Sequence, residues 1–174
     1  MTKKDKKAFV PLSISLLTIS DTRNIDNDTS GDLLVSLIKE SGHNLFDRKI
    51  VKDNIFEIRS IVSRWIASET INVVITTGGT GITGKDGTPE AIEVLLDKKI
   101  DGFGEFFRYL SFNDIGTSSL QSRAIAGVAN STFIFSLPGS TNACKTAWEK
   151  IISFQLDSRT SPCNLAELIP RLEE

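Results

Sequence analysis

The segment from Val73 to Glu90, VVITTGGTGITGKDGTPE, constrains the fold of this chain more than any other. An apolar run ends in a loop of glycine and threonine, and the pattern predicts a helix capped by Thr88 with Pro89 at its first position. In α/β proteins such loops hold phosphates, because glycines let backbone N–H groups approach an anion and the helix adds its positive dipole end. The segment therefore predicts an α/β fold with a phosphate site at residues 78–81.

A P-loop is the first alternative for this glycine loop. Residues 79–85 read GTGITGK and fit the pattern GxxxxGK, but Asp86 stands where a P-loop has the Ser or Thr that binds magnesium. Gly87 and Pro89 also delay the helix beyond the lysine. The match is therefore interpreted as chance.

Apolar periodicity elsewhere predicts alternating strands and helices. The predicted helices cover residues 33–42, 55–66, 91–96, 105–110, 118–128 and 140–152, with a break at Gly102-Phe103-Gly104. The predicted strands cover residues 12–19, 45–51, 71–76 and 132–137. This alternation favours a parallel sheet that helices cover on both faces.

Composition limits the class of protein. A chain of 174 residues that is 40% apolar fits one globular domain, expected over residues 9–174 after a disordered tail over residues 1–8. A net charge of −2 gives no general attraction to nucleic acid, and no segment is long enough to span a membrane. Two cysteines and one histidine make no zinc or disulfide pattern, which favours a cytoplasmic protein with reduced thiols.

Polar residues follow the predicted strands where ligands of parallel sheets gather, at the carboxyl ends. Asp53 and Asp86 are candidate magnesium ligands, since one or two carboxylates suffice beside phosphates. Asp53 could instead cap the next helix, and Asp86 could only favour a turn with Gly87. The segment 138–140 is either a plain strand-to-helix turn or a second anion cradle.

The single histidine, His43, lies far from these strand ends in the sequence. A nucleophile–histidine–acid set is therefore disfavoured. Phosphoryl or nucleotidyl transfer needs no such set, because it depends on positioning and on charge neutralisation.

Taken together, these motifs resemble the MoaB/Mog family of molybdenum-cofactor biosynthesis proteins, which includes the gephyrin G domain. The similarity runs from about Leu12 to Cys163, and the segments 28–31, 110–118 and 155–164 resemble the bacterial MoaB branch. The motifs that carry the resemblance are TTGGTG at 76–81, Asp86 with TPEA at 88–91, GFGE at 102–105, SRA at 122–124 and PGS at 138–140.

The resemblance implies a three-layer α/β/α sandwich around a mostly parallel sheet, assembled as a homo-oligomer, either a trimer or a hexamer. It implies adenylylation of molybdopterin by ATP with Mg²⁺, followed by transfer of the product to the molybdenum-insertion protein. Two alternatives stay open. One is a catalytically silent molybdopterin-binding paralogue, a carrier or scaffold in the same pathway. The other is a nucleotide-binding enzyme with an unrelated substrate.

Residue by residue, Asp53 and Asp86 match the family's two functional aspartates and are expected to be catalytic and to bind Mg²⁺. The motif at 138–141 reads PGST, where many active members have a second proline. Residues expected near the pterin are Glu105, Ser122 and Arg123. Residues expected in the ligand-binding loops are Thr76, Thr77, Gly78, Gly79, Thr80, Gly81, Pro138, Gly139 and Ser140.

Overall fold

The computed structural model describes residues 7–172. The predicted disordered tail over residues 1–8 therefore falls mostly on residues 1–6, which lie outside the described part. Of the remaining two residues, Ala8 accepts a hydrogen bond at its carbonyl from the Ser158 hydroxyl at 2.9 Å.

One sheet organises the described residues. Its order is β2-β1-β3-β6-β5-β4. The strands β2, β1, β3 and β6 are parallel, whereas β5 runs antiparallel to β6 and β4 antiparallel to β5. The strands are β1 Ser13–Ile19, β2 Asn44–Val51, β3 Val73–Thr77, β4 Lys98–Lys99, β5 Ile125–Ala129 and β6 Thr132–Leu137.

Helices connect and cover these strands. A π-helical turn over Trp148–Ile152 joins α5 to α6, and 3-10 helices cover Gly116–Gln121 and Ala166–Arg171. No helix within residues 7–172 has the length and apolar character needed to cross a bilayer. The α-helices are α1 Thr29–Glu40, α2 Ile55–Ile66, α3 Thr88–Glu93, α4 Asp101–Ile115, α5 Thr141–Ala147 and α6 Ser153–Leu156.

The two faces of the sheet bury two separate apolar cores. Because side chains alternate along a strand, β1 places Leu16 in one core and Leu17 in the other. The first core packs against α1, α4 and α5, and the second packs against α2 and α3. The predicted three-layer α/β/α sandwich with a mostly parallel sheet is therefore confirmed.

The first residues of α2 and α3 show which side chains cap these helices. Asn54 caps α2, because its side chain accepts the Phe56 N–H at 2.9 Å, so Asp53 is not the cap. Gly87 precedes α3 without a side-chain cap bond, and the predicted capping role of Thr88 is wrong. The Thr88 hydroxyl instead donates to the Gly78 carbonyl at 2.8 Å.

The predicted helix over residues 118–128 is wrong. The 3-10 helix ends at Gln121, and residues 125–129 form β5, which pairs with β6 from Ile125 against Ser136 to Ala129 against Thr132. This hairpin turns through Asn130 and Ser131, which have φ values of +43° and +63°. Pairing with a neighbouring strand has overridden the local pattern.

The predicted break at residues 102–104 is also wrong, because these residues form the first turn of α4. A Cβ at Gly104 would lie 2.5 Å from the Ala124 carbonyl oxygen. The glycine is therefore explained by the close approach of α4 to the segment that leads into β5, and not by the end of a helix.

Leu16 gives a direct test of the core. Its side chain is fully buried in the middle of β1, so we expect Leu16→Ala to lower the free energy of unfolding by about 2–5 kcal/mol. Phe56→Ala is the control, because Phe56 is 76% exposed and its loss should cost less than about 0.5 kcal/mol. Equal losses in denaturant unfolding of the two variants would contradict this assignment of the core.

Candidate functional site

A cavity of about 480 Å³ opens at the carboxyl ends of β1, β3 and β6, beside α4. The chain passes from β1 to β2 on one side and then to β3 on the other, so the cavity lies at a switch point in strand order. Among the predicted site residues, those that line it are Thr77, Gly78, Gly79, Thr80, Gly81, Asp86, Ser122, Pro138, Gly139 and Ser140.

Gly78 allows the three strand ends to converge. Its φ is +105°, and a Cβ there would lie only 2.1 Å from the Ile19 carbonyl oxygen at the end of β1. Its N–H donates to the Leu137 carbonyl at the end of β6 at 3.0 Å. A Cβ at Gly139 would in turn lie 3.3 Å from the Gly78 Cα. At position 78, no residue type other than glycine fits without moving a strand end.

The glycine loop presents unpaired N–H groups while its carbonyls are held. Thr88 N–H donates to the Gly79 carbonyl at 3.0 Å, and Arg123 N–H donates to the Thr80 carbonyl at 3.2 Å. The N–H groups of Gly79 and Thr80 donate to no acceptor within residues 7–172. Successive free N–H groups in a turn with a positive φ, +63° at Gly79, form the kind of concavity that binds anions.

Arg123 supports this loop from behind and does not line the cavity. Its Nε donates to the Gly81 carbonyl at 2.7 Å, and its Nη2 donates to the Asp86 carbonyl. Its Nη1 pairs with Glu90. Arg123 and Glu105 line a second cavity of about 450 Å³ between α4 and β5, and Ser122 lines both cavities.

Asp86 supplies the negative charge of the cavity wall. Its Oδ2 accepts the Thr83 N–H at 2.8 Å and also the Thr83 hydroxyl. The hydrogen bond from the Thr83 side chain is the main reason why the pKa of Asp86 lies below its ordinary value. The side chain is therefore a carboxylate across the neutral range.

Asp53 contacts the same loop from the end of β2 but does not line the 480 Å³ cavity. Its Oδ1 accepts the Gly87 N–H at 3.3 Å, and its Oδ2 lies 2.7 Å from the place where Gly79 would carry a Cβ. Burial raises the pKa of Asp53 above its ordinary value, and the charges of Asp86 and Asp21 raise it further. Lys85, which pairs with Asp21 at 2.7 Å, offsets part of this effect, and a bound cation would favour the ionised form of Asp53 further.

The carboxylates of Asp53 and Asp86 fit a magnesium ion that is shared with a phosphate better than a metal ion that protein side chains hold alone. Within residues 7–172, no three His, Cys, Asp or Glu side chains group as a metal site. Mg²⁺ is commonly held by one or two carboxylates together with substrate phosphates and water. Asp53 and Asp86, on either side of a loop with free N–H groups, match that requirement.

The two threonines that end β3 differ in position. Thr77 lines the cavity, and its hydroxyl donates to the Pro138 carbonyl at 3.0 Å, which ties β3 to the turn after β6. Thr76 is fully buried and does not line the cavity, and its hydroxyl has no hydrogen-bond partner among the described residues.

Part of the cavity wall was missed by the sequence interpretation. The end of β1 contributes Thr18, Ser20 and Arg23, none of which was among the predicted site residues. The other wall comes from α4 and the 3-10 helix after it. The spacing of Phe107, Ser111 and Ile115 would have indicated one helical face, but the helix was predicted to end at residue 110.

A buried carboxylate supports the β1 side of the cavity. Asp28 is completely buried at the start of α1. Burial raises the pKa of Asp28, but hydrogen bonds outweigh this effect, and the net pKa lies below the ordinary value. Its donors are the Thr18 hydroxyl at 2.7 Å, Arg48 Nη2 at 2.9 Å, the Gly31 N–H at 3.0 Å and Arg23 Nη1 at 3.2 Å.

The strand order, the two helical layers and the cavity at the switch point define an α/β protein of the doubly wound kind, in which ligands bind at the carboxyl edge. A family model described as "Probable molybdopterin binding domain" matches residues 15–158. The chain belongs to this family.

Relatives agree with this assignment over nearly the whole chain. "Molybdenum cofactor biosynthesis protein B" of Escherichia coli (strain K12) is 56% identical over 156 residues, which cover 90% of this chain and 92% of that protein. A crystal structure of molybdenum cofactor biosynthesis protein B superposes with a TM-score of 0.87 at 41% identity, covering 96% of this chain and 99% of that one. The tungsten cofactor synthesizing protein MoaB from Pyrococcus furiosus has a TM-score of 0.76 at 33% identity, covering 94% and 98%.

We expect Gly78→Ala to damage both the fold and the cavity. The added Cβ meets the Ile19 carbonyl, and the alanine must also adopt a positive φ. The free energy of unfolding should therefore fall by about 1–3 kcal/mol or more. Gly84→Ala is the control, since a Cβ there has nothing within 4 Å. Thermal unfolding of both variants measures the difference, and an unchanged Gly78→Ala midpoint would contradict the strand convergence described here.

Asp28→Asn should make stability depend less on pH. Since the folded-state pKa of Asp28 lies below its unfolded value, its contribution is present above the unfolded pKa and is lost as pH falls through the folded pKa. The variant should be less stable than wild type by about 2–3 kcal/mol at pH 7, and the gap should narrow below about pH 4. Denaturant unfolding at several pH values measures it. Asp26→Asn, at an exposed position two residues away, should show no such gap.

Proposed function

We propose that this protein adenylylates molybdopterin with Mg²⁺ and ATP, as a step of molybdenum cofactor biosynthesis. The observation that carries the proposal is the 480 Å³ cavity, which combines the free N–H groups of the glycine loop with the Asp86 carboxylate at a switch point of the sheet. Membership in the molybdopterin-binding family and relatives named for molybdenum cofactor biosynthesis support the substrate and the pathway.

In the proposed reaction, an oxygen of the terminal phosphate of molybdopterin attacks the α-phosphorus of ATP. A new P–O bond forms, the bond from the α-phosphorus to the bridging oxygen of the β-phosphate breaks, and pyrophosphate leaves. The attacking group is already an anion, so no general base is needed. This is consistent with the position of His43, the only histidine in the chain, immediately before β2 and therefore at the opposite edge of the sheet from the cavity.

Each part of the site has a task in this proposal. The N–H groups of Gly79 and Thr80 bind phosphate oxygens and stabilise the charge that shifts during transfer. Asp53 and Asp86 would hold magnesium, which supplies neutralisation of phosphate charge. Arg123 positions the loop through the Gly81 carbonyl.

The proposal has a cellular setting as well. The free thiols of Cys144 and Cys163 favour a reducing compartment, so we place the step in the cytoplasm. We also propose that the protein works as a homo-oligomer, a trimer or a hexamer, and passes its adenylylated product to the molybdenum-insertion protein. The relative from Pyrococcus furiosus, a tungsten cofactor synthesizing protein, indicates that the fold also serves the synthesis of a tungsten cofactor.

One observation favours the alternative function, molybdopterin binding without turnover. The Asp86 Oδ2 is already engaged by Thr83, and Asp53 lies outside the cavity wall, so both carboxylates are partly committed to the protein. A carrier or scaffold would keep the cavity and its affinity for pterin while forming no adenylylated product.

Asp86→Asn tests the proposal. It removes the carboxylate charge from the cavity wall, and we expect the rate of adenylyl-molybdopterin formation from ATP, Mg²⁺ and molybdopterin to fall by about a hundredfold or more. Glu69→Gln, at an exposed position after α2, is the control and should leave the rate unchanged. Product is measured by chromatography, and thermal unfolding confirms that both variants are folded.

The wild-type result separates the two functions. Turnover by the wild type that persists in Asp86→Asn would contradict the assigned role of this carboxylate. A folded wild type that binds molybdopterin but forms no product would exclude the enzyme and favour the carrier.

A further inference from the structure

We propose that Arg23 is the residue that binds a phosphate group of the ligand in the 480 Å³ cavity. The inference rests on the proposed function, since it assumes a phosphorylated ligand, and it adds a residue that no motif identified. The ligand chemistry is a phosphate, carried either by the pterin or by the nucleotide.

Charge distinguishes Arg23 from the other residues of the cavity wall. Among the described residues, only Arg23 and Asp86 bring charged side chains to the wall of this cavity. A phosphate needs a cation or several N–H donors to leave water, and an anion such as Asp86 cannot serve without magnesium. Arg23 is therefore the one side chain of the wall whose own charge attracts a phosphate.

One edge of the Arg23 guanidinium has no hydrogen-bond partner among the described residues. Both hydrogen bonds of the Arg23 head group within residues 7–172 use Nη1, which donates to Asp28 Oδ1 at 3.2 Å and to the Ser30 hydroxyl. Nε and Nη2 have no partner there. These two nitrogens form one side of the guanidinium fork and present two parallel N–H groups. That geometry matches two oxygens of a phosphate.

Arg23 is held in position by the protein itself. Asp28, which holds Nη1, is completely buried, and the Ser30 hydroxyl in turn donates to the Gly139 carbonyl at 2.9 Å. Arg23 is thus fixed between the end of β1 and the turn after β6, two of the strand ends that form the cavity. A donor fixed in advance loses less conformational freedom on binding than a mobile surface side chain.

A purely structural role explains Arg23 less well. Asp28 keeps donors without it, because Thr18, Gly31 and Arg48 all bond to the same carboxylate. Arg48 shows what a structural arginine looks like here. It pairs with both Asp28 and Asp32, and it does not line the cavity. The two arginines share one partner, and only Arg23 combines that pairing with a place in the cavity wall.

This shared partner gives a matched experiment. Dissociation constants for molybdopterin, and separately for ATP with Mg²⁺, are measured by calorimetry on wild type, Arg23→Gln, Arg23→Lys and Arg48→Gln. We expect Arg23→Gln to weaken binding of at least one ligand by about 10- to 100-fold, and Arg23→Lys to recover part of it, because a lysine keeps the charge but loses the fork. Arg48→Gln should lower the thermal midpoint while leaving both dissociation constants within about twofold, because Arg48 does not line the cavity and Asp28 keeps Thr18, Arg23 and Gly31 as donors.

The outcomes separate the source of the phosphate. Weaker molybdopterin binding alone assigns Arg23 to the pterin phosphate, and weaker ATP binding alone assigns it to the nucleotide. Weakening of both assigns it to the point where the two phosphates meet. Unchanged affinities in a folded Arg23→Gln protein, or equal losses in Arg48→Gln, would overturn the inference.

Failure of the proposed reaction is recognised separately. A wild type that binds molybdopterin but does not turn over removes the enzyme activity and leaves the Arg23 measurement intact, because that measurement reads affinity. A wild type that binds neither ligand overturns the inference and the proposed function together.

Discussion

The approach of three backbone segments at Gly78 is the constraint on which the rest of the site depends. A Cβ at this position would collide with the Ile19 carbonyl, and Gly139 lies against the same residue from the other side. The ends of β1, β3 and β6 can meet only because neither glycine has a side chain. This convergence brings the loop, the segment after β1 and the turn after β6 together at the side of the cavity that the strand ends form.

Hydrogen bonds fix some polar groups of the site in place and leave others available to a ligand. Thr88 and Arg123 bind the carbonyls of the glycine loop from the side away from the cavity, which leaves the N–H groups of Gly79 and Thr80 without partners. In the segment after β1, Asp28 holds Arg23 in the same way, through one nitrogen of its guanidinium. In both places the protein uses one side of a polar group to fix it and leaves the other side available. Such fixed dipoles need little reorganisation when a charged ligand arrives.

Local signals predicted much of the fold, because strands, helix starts and the glycine loop are encoded over a few neighbouring residues. The parallel core strands and the two helical layers were confirmed, and the loop does lie in the cavity. The predictions of secondary structure were wrong where contacts with segments distant in the sequence determine the local structure. Residues 125–129 become a strand by pairing with β6, and Gly104 sits inside a helix because another backbone passes close to it. Arg23 was not identified because no motif shows that it reaches a buried aspartate and a cavity at once.

The positions of Asp53 and Asp86 bear on how far the family resemblance can be carried into chemistry. Both lie against the glycine loop, but only Asp86 lines the cavity, and burial together with nearby carboxylates raises the pKa of Asp53. The pKa of Asp86, by contrast, lies below its ordinary value, so the crowding of charge acts on Asp53, whose ionised form a bound cation would favour. Arg23, which Asp28 holds through one nitrogen of its guanidinium, lines the same cavity from the segment after β1 and is the proposed partner of the phosphate. The proposed phosphate ligand, accompanied by Mg²⁺, would complement these charges, since Mg²⁺ is commonly held by one or two carboxylates together with substrate phosphates.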